Sequence, residues 1–244
     1  RVSAPRGHKV VLCEKSDRLG GQLNLAVVPP HKEEMKSVVT YLESQIRKLG
    51  VKIVLEEEVT PLLVEKIKPD VVFIATGSVP AIPEIPGVEG DHVVTAHDLL
   101  AGKASVKERV AVVGGGMVGA ETAEFLAEKG KRVTILEMLG RIGIDMVPMA
   151  ILMLYQRLKK LGVAMITNAK VQEITEDGVV YEKDGEKQTV EADSVVLAAG
   201  SKPNISLMKA LEGKVAEIYA IGDAKETGNV LEAIHEASQM AREI

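Results

Sequence analysis

Three segments of this 244-residue chain recur in the same order further along it, and that repeat constrains the fold more than any other feature. His8-Lys9-Val10-Val11-Leu12-Cys13-Glu14 matches Lys131-Arg132-Val133-Thr134-Ile135-Leu136-Glu137 at an offset of 123; each is an apolar run that follows a glycine and ends in glutamate. Leu49-Gly50-Val51-Lys52-Ile53 matches Leu161-Gly162-Val163-Ala164-Met165 at an offset of 112. Asp70-Val71-Val72-Phe73-Ile74-Ala75-Thr76-Gly77-Ser78 matches Asp193-Ser194-Val195-Val196-Leu197-Ala198-Ala199-Gly200-Ser201, again at 123. Two related units follow from this order. Met35, Val38, Val39, Leu42, Ile46 and Leu49 recur at helical spacing, as do Ile151, Leu154, Leu158 and Leu161. Gly50 and Gly162 then supply the left-handed residue that closes a helix. The apolar runs at 71–75, 110–113, 133–136 and 195–199 lack period-two alternation, as strands buried on both faces do, so parallel sheets covered by helices are expected. Residues 170–190 alternate and carry Asp177-Gly178 and Asp184-Gly185 turns, which predicts a small antiparallel meander.

The second unit carries a glycine loop. Residues 109–113 run into Gly114-Gly115-Gly116-Met117-Val118-Gly119, a helical stretch follows over 120–129, and Glu137 stands eighteen residues after Gly119 at the end of the next strand. Strand, loop, helix and distal acid together specify a dinucleotide-binding unit. Gly114 permits the tight turn, Gly116 lets backbone amides approach a pyrophosphate, and Gly119 allows close helix–strand packing. The helix N-terminus adds partial positive charge. Glu137 can accept both hydroxyls of an adenosine ribose and would repel a 2′-phosphate, which favours NADH over NADPH, a preference that Arg141 softens. The expected class is therefore α/β, with two Rossmann-like dinucleotide-binding units built on parallel sheets, one inserted in the other, plus the meander. By the same offset the first unit's glycine loop falls before Arg1, and residues 1–7 are expected to be the end of the helix that follows it.

Composition narrows the function classes. At 46% hydrophobic and 27% charged, the chain can bury enough surface to fold. Its longest apolar run, residues 146–155, is half the roughly 20 residues that cross a bilayer, and no secretory signal opens the sequence, so a cytoplasmic protein with no membrane partner is expected. A net charge of −5 and six aromatic residues argue against nucleic-acid binding. The single cysteine, Cys13, cannot form an intrachain disulfide, a CxxC pair or a cluster site, and inside a strand it reads as a structural thiol. His92 and His97, with Asp91 and Asp98, offer too few ligands for a metal site. The prolines 80, 83 and 86 suit a rigid connection.

Glu14-Lys15-Ser16-Asp17-Arg18-Leu19-Gly20-Gly21-Gln22-Leu23, Tyr219-Ala220-Ile221-Gly222-Asp223-Ala224 and Asn229-Val230-Leu231-Glu232-Ala233-Ile234-His235-Glu236-Ala237 carry a further likeness. With these stretches the whole chain resembles the two-dinucleotide-binding-domain flavoproteins. More narrowly it is similar to the C-terminal reductase half of the NADH:flavin oxidoreductase, 2,4-dienoyl-CoA reductase and trimethylamine dehydrogenase group. The resemblance implies that Glu14 holds the FAD adenosine ribose and that Gly20, Gly21 and Gln22 lie along the diphosphate and flavin. It implies that Thr76 and Gly77 close over the cofactor, and that Asp223 bonds its ribityl or phosphate end, with the helix from Asn229 aimed at it. Lys15, Arg18, Val59, Ala75, Gly200 and Gly222 are further implied cofactor contacts, with Met117 and Val118 on the nicotinamide-nucleotide loop and Glu121 near the nicotinamide. An FAD domain of residues 1–95 and 206–244 would then enclose an NAD(P) domain of 96–205.

The function implied is an electron-input module: hydride passes from NADH to FAD and onward to a partner centre. FMN and an iron–sulfur cluster would sit on an upstream barrel of the same polypeptide. No catalytic side chain is required for that step. FAD is expected to bind weakly without the first glycine loop, while the nicotinamide-nucleotide site is complete. The alternative is a nucleotide-binding domain, structural or for docking, that holds ADP without redox activity.

Overall fold

The computed structural model describes residues 1–244 and divides into two compact units. The first comprises Arg1–Asn24, Glu34–Val79 and Ser201–Ile244; the second comprises Leu25–Glu33 and Pro80–Gly200. The units meet at 79/80 and 200/201, where 95/96 and 205/206 were expected, and residues 93–95 pair into the second unit's sheet.

In chain order the first unit starts with a 3-10 turn, Ala4–Arg6, not the end of an α-helix. Pro5 stands in its first turn and Gly7 closes it at φ 99°. Strand β1 (Val11–Cys13), helix α1 (Leu23–Ala26), helix α2 (Lys36–Lys48), β2 (Lys52–Val54), α3 (Pro61–Ile67), β3 (Val71–Ile74) and β4 (Ser78–Pro80) follow. The stripe read from Met35 to Leu49 forms α2, with Gly50 beyond it at φ 71°. Thr60 caps α3 by accepting from Leu63 N at 3.3 Å.

The second unit contains β5 (Val93–Thr95), α4 (Ala96–Leu100), β6 (Arg109–Val113), α5 (Met117–Glu128), β7 (Arg132–Leu136), α6 (Pro148–Lys160) and β8 (Ala164–Ile166). The meander β9 (Lys170–Thr175), β10 (Gly178–Lys183) and β11 (Glu186–Glu191) precedes β12 (Ser194–Leu197). All five strands of the main sheet are parallel, in the order β5-β12-β6-β7-β8. Alternate residues of its central strands feed two cores. Val110, Val112, Val133, Ile135 and Val196 pack with Ala120, Ala123 and Leu126 of α5 and with Leu154 and Leu158 of α6. Ala111, Val113, Leu136, Val195 and Leu197 pack with Ile174, Val179 and Tyr181 of the meander. The sheet is thus buried on both faces, with the meander instead of helices covering one of them.

The chain returns to the first unit through β13 (Ser201–Pro203), which pairs with β4, and then α7 (Ser206–Leu211), β14 (Glu217–Ala220) and α8 (Val230–Glu243). Here β1 pairs only with β2 and β3 only with β14, all parallel. By the repeat, β1 and β3 correspond to β7 and β12, the two strands that β6 separates in the second unit. Their free edges explain why Val11 is 42% exposed and Cys13 only half-buried, instead of lying inside a covered strand. No helix is long and apolar enough to cross a membrane.

Arg109, at the start of β6, is tied to the loop before β12: its backbone N donates to Asp193 Oδ2 at 2.9 Å and its Nη2 to Oδ1 at 2.6 Å. These bonds hold the Asp193 carboxyl down from 3.8 to about 2. A lowered carboxylate contributes stability that is complete above the unfolded value and is lost as pH falls through the folded one. The melting temperature should therefore drop between about pH 4 and pH 2 in the wild type, and Asp193→Asn should flatten that limb in a thermal series.

Candidate nucleotide sites

The glycine loop leaves β6 where the chain order reverses. Its successors β7 and β8 lie on one side of β6, and β12 lies on the other. Ligands of open parallel sheets sit at the carboxyl ends of the strands at such a switch point. Gly114 has φ 102°, and a Cβ on it would stand 2.3 Å from the Ala198 carbonyl oxygen. A Cβ on Gly119 would stand 1.9 Å from the carbonyl oxygen of Gly114, so helix and strand approach closer than any side chain allows. Gly116 is the N-cap of α5 and supplies no capping side chain, while Val118 faces outward, 41% exposed. Gly200, at φ 93°, is exposed and accepts from Ala81 N at 2.9 Å.

Glu137 is 6% exposed and both its oxygens are engaged. Oε2 accepts from Gly115 N at 2.6 Å and Oε1 from Leu139 N at 2.7 Å. The acid thus fixes the loop to the end of β7, and each carboxylate oxygen retains a further lone pair. Asp145 accepts from Met117 N at 2.7 Å, at the mouth of α5.

Glu121 lies one turn further along α5, buried, in an ion pair with Lys32. Burial pushes its carboxyl above the usual range against the opposing pull of Lys32. Lys32 was not legible as a site residue: it comes from Leu25–Glu33, which has no helical or strand period and joins the second unit from within the first. Removing it with Lys32→Met should raise the Glu121 carboxyl further. A buried acid with a raised value stabilises the fold below its unfolded value, 4.5, and that contribution fades as pH rises. The variant should therefore lose stability relative to wild type as pH climbs from about 4.5 toward neutrality, measured as melting temperature against pH.

In the first unit Glu14 accepts from Ser16 N at 2.9 Å and from Ser16 Oγ at 2.7 Å, the short-range counterpart of the Glu137 arrangement. Gly20 and Gly21 take φ of 117° and 48°, a turn that side chains disfavour. Gln22, Ser78 and Asp223 form one polar group: Gln22 Nε2 donates to Ser78 Oγ at 2.9 Å and Ser78 Oγ to Asp223 Oδ2 at 3.2 Å. Asp223 Oδ1 also accepts from Gly228 N at 3.1 Å. Gly222, at φ 57°, donates its N–H to Glu236 Oε2 at 2.7 Å, and Lys225 holds the other oxygen of Glu236 and lowers its carboxyl. Thr76 Oγ1 donates to Asn204 O at 2.6 Å, and Asn204 N to Gly77 O at 2.9 Å. Ser78, Asn204 and Glu236 are the members that sequence reasoning missed.

Lys15, Arg18 and Ala75 are exposed. Val59, by contrast, packs against the core around Val64, Ile74 and Leu211. Asn229 begins α8 with a capping box that already uses the Leu231 and Glu232 amides, so much of that helix's N-terminal donor capacity is spent internally.

His92 Nε2 lies 3.0 Å from Thr175 O, and burial lowers the His97 imidazole. Burial raises the Cys13 thiol, which makes it a poor nucleophile. His31, Glu124 and Glu128 bring ligand atoms within 4.8 Å of one another, but Arg157 already holds Glu124 through Nε and Nη2.

Known proteins share this architecture over the whole chain. The family model described as pyridine nucleotide-disulphide oxidoreductase matches residues 2–241. An NADH oxidase of Thermoanaerobacter brockii is 41% identical over all of this chain and 38% of its own length. A metal reductase of Desulforamulus reducens is 37% identical over 97% of the chain and 40% of its own. A solved 2-naphthoyl-CoA reductase complex superposes at a TM-score of 0.95 with 37% identity, covering 99% of this chain and 37% of that one. The chain therefore spans about two fifths of the length of these relatives. It belongs to the pyridine nucleotide-disulphide oxidoreductase family.

Proposed function

We propose that the chain is the electron-input module of a larger flavin-dependent reductase, with FAD on the first unit and NADH on the second. The observation that carries this is the glycine loop at the sheet's switch point, whose packing at Gly114 and Gly119 admits no Cβ and sets the first turn of α5 at the carboxyl end of β6. When bound, NADH and FAD supply the hydride chemistry themselves. The side chains bind and orient. Residues 114–119 cradle a pyrophosphate, and Glu137 takes ribose hydroxyls while its buried negative charge disfavours a 2′-phosphate, so NADH is preferred to NADPH. Glu121, two residues past the loop, forms a charge pair with Lys32 where a nicotinamide ring would be steadied. In the first unit Glu14, Gly20, Gly21, Gln22, Thr76, Gly77, Gly222 and Asp223 form the flavin-nucleotide surface, with Asp223 held ready by Ser78 and Gly228.

The names of the relatives, an NADH oxidase and a metal reductase among them, support electron flow to a further centre. We place that centre on an FMN- and iron–sulfur-bearing barrel of the same polypeptide. With one cysteine, the chain carries no dithiol pair for disulfide chemistry of its own.

Hydrogen exchange with saturating nucleotide tests the assignment. NADH should slow exchange at 114–119 and FAD at 20–22, 76–77 and 222–223. Protection of the same amides by both nucleotides, or of neither set, would remove the division of labour.

A further inference from the structure

The amide that opens α5 is already bonded to an anion of the protein itself. Asp145 Oδ1 accepts from Met117 N at 2.7 Å, and Asp145 Oδ2 lies 3.3 Å from where a Cβ on Gly116 would stand. Asp145 belongs to a strap over residues 138–147 that crosses the glycine loop. Gly143 N donates to Gly115 O at 2.7 Å, and Ile142, 2% exposed, anchors the strap in the core. Past that anchor Ile144 is 48% and Val147 68% exposed and Asp145 itself is exposed, while Met146 packs against the core and Val147 caps α6. Asp145 is thus an exposed side chain between two anchored residues, Ile142 and Met146.

We propose that Asp145 is a tethered competitor of the dinucleotide phosphate. It occupies the Met117 amide in the free protein, gives it up when nucleotide binds, and so sets the affinity of the site. This rests on the reading of 114–119 as the nicotinamide-nucleotide loop. A carboxylate and a phosphate oxygen seek the same N–H and the same positive helix end. They cannot share one proton at hydrogen-bond distance, and their charges repel at that range. Glu137 does not compete in this way, because it bonds Gly115 N on the ribose side.

The test measures NADH dissociation constants by fluorescence titration for wild type, Asp145→Asn, Asp145→Ala and Gly119→Ala, with apo melting temperatures alongside. Asparagine keeps an oxygen for Met117 N and loses the charge. Both Asp145 variants should bind NADH about fivefold or more tightly at low salt, a gain that shrinks as salt screens the repulsion. Asp145→Ala should also lower the apo melting temperature, since it removes a helix-cap bond. Tighter binding in a less stable protein has the sign opposite to a plain capping role. Adenosine, which lacks the phosphates, should bind all Asp145 variants equally. Unchanged or weaker NADH binding by Asp145→Asn, with wild type binding and Gly119→Ala not, overturns the competitor and leaves the site reading standing. If no protein in the series binds NADH, both fall together.

Discussion

Gly119→Ala is expected to abolish NADH binding while leaving a folded protein. The added Cβ would stand 1.9 Å from Gly114 O, 2.9 Å from Gly114 C and 3.2 Å from the Ala198 methyl. Both backbone contacts belong to the turn that presents the amides, so the clash is relieved only by lifting α5 away from β6. Overpacking of this kind costs about 1–3 kcal/mol, which a two-core unit of this size can absorb. Displacing the helix end misplaces the donors for a phosphate, and a loss of about 3 kcal/mol in binding is more than a hundredfold in dissociation constant. Gly130→Ala is the control. Gly130 has a positive φ, 80°, which Gly119 does not, and nothing lies within 4 Å of a Cβ there. It should cost about 1 kcal/mol of stability from backbone strain and leave NADH affinity unchanged. Equal NADH affinity in Gly119→Ala and wild type would contradict the role given to the loop.

Arg157→Met should destabilise the second unit by leaving a charge unpaired rather than by opening a cavity. The Glu124 side chain is 1% exposed on α5, and both its oxygens are held by the Arg157 guanidinium. Removing the cation leaves a buried carboxylate without a partner, which costs about 3–5 kcal/mol in fully buried pairs. Arg157 is itself 32% exposed, so water reaches the vacated space and the expected cost is nearer 2–4 kcal/mol. The double variant Glu124→Gln with Arg157→Met should recover about half or more of the loss, because no charge then remains to be solvated. Urea unfolding of the two proteins checks both numbers. An Arg157→Met protein within about 0.5 kcal/mol of wild type would show that Glu124 finds another partner.

Much of the second unit was legible because its signals are local and repeat. Residues 110–113 and 195–197 are apolar without alternation, and they are the central strands whose alternate side chains feed two cores. The glycine loop reads from its spacing between a strand and a helix, and Gly114 and Gly119 each answer a backbone contact, at Ala198 O and Gly114 O. The failures were at long range. Lys32 reaches Glu121 from a segment 89 positions earlier with no periodicity, and nothing in its neighbourhood marks it as a partner for α5. Asp145 stands in no motif or periodic stretch, and only its 2.7 Å bond to Met117 N singles it out. Cys13 read as a structural thiol inside a strand, but strand coverage depends on neighbours on both edges, and β1 has one. Val59 shows the converse: its side chain serves the core of the first unit.

The central claim is that these two units pass electrons from a nicotinamide to a flavin nucleotide. The most direct test adds NADH anaerobically to the protein at saturating FAD and follows the visible flavin band, with Gly119→Ala alongside. The account predicts bleaching stoichiometric with NADH in the wild type, and none beyond the protein-free rate in Gly119→Ala. Persistence of the flavin band in a wild-type protein shown to bind both nucleotides would contradict it and leave a domain that holds nucleotides without reducing one by the other.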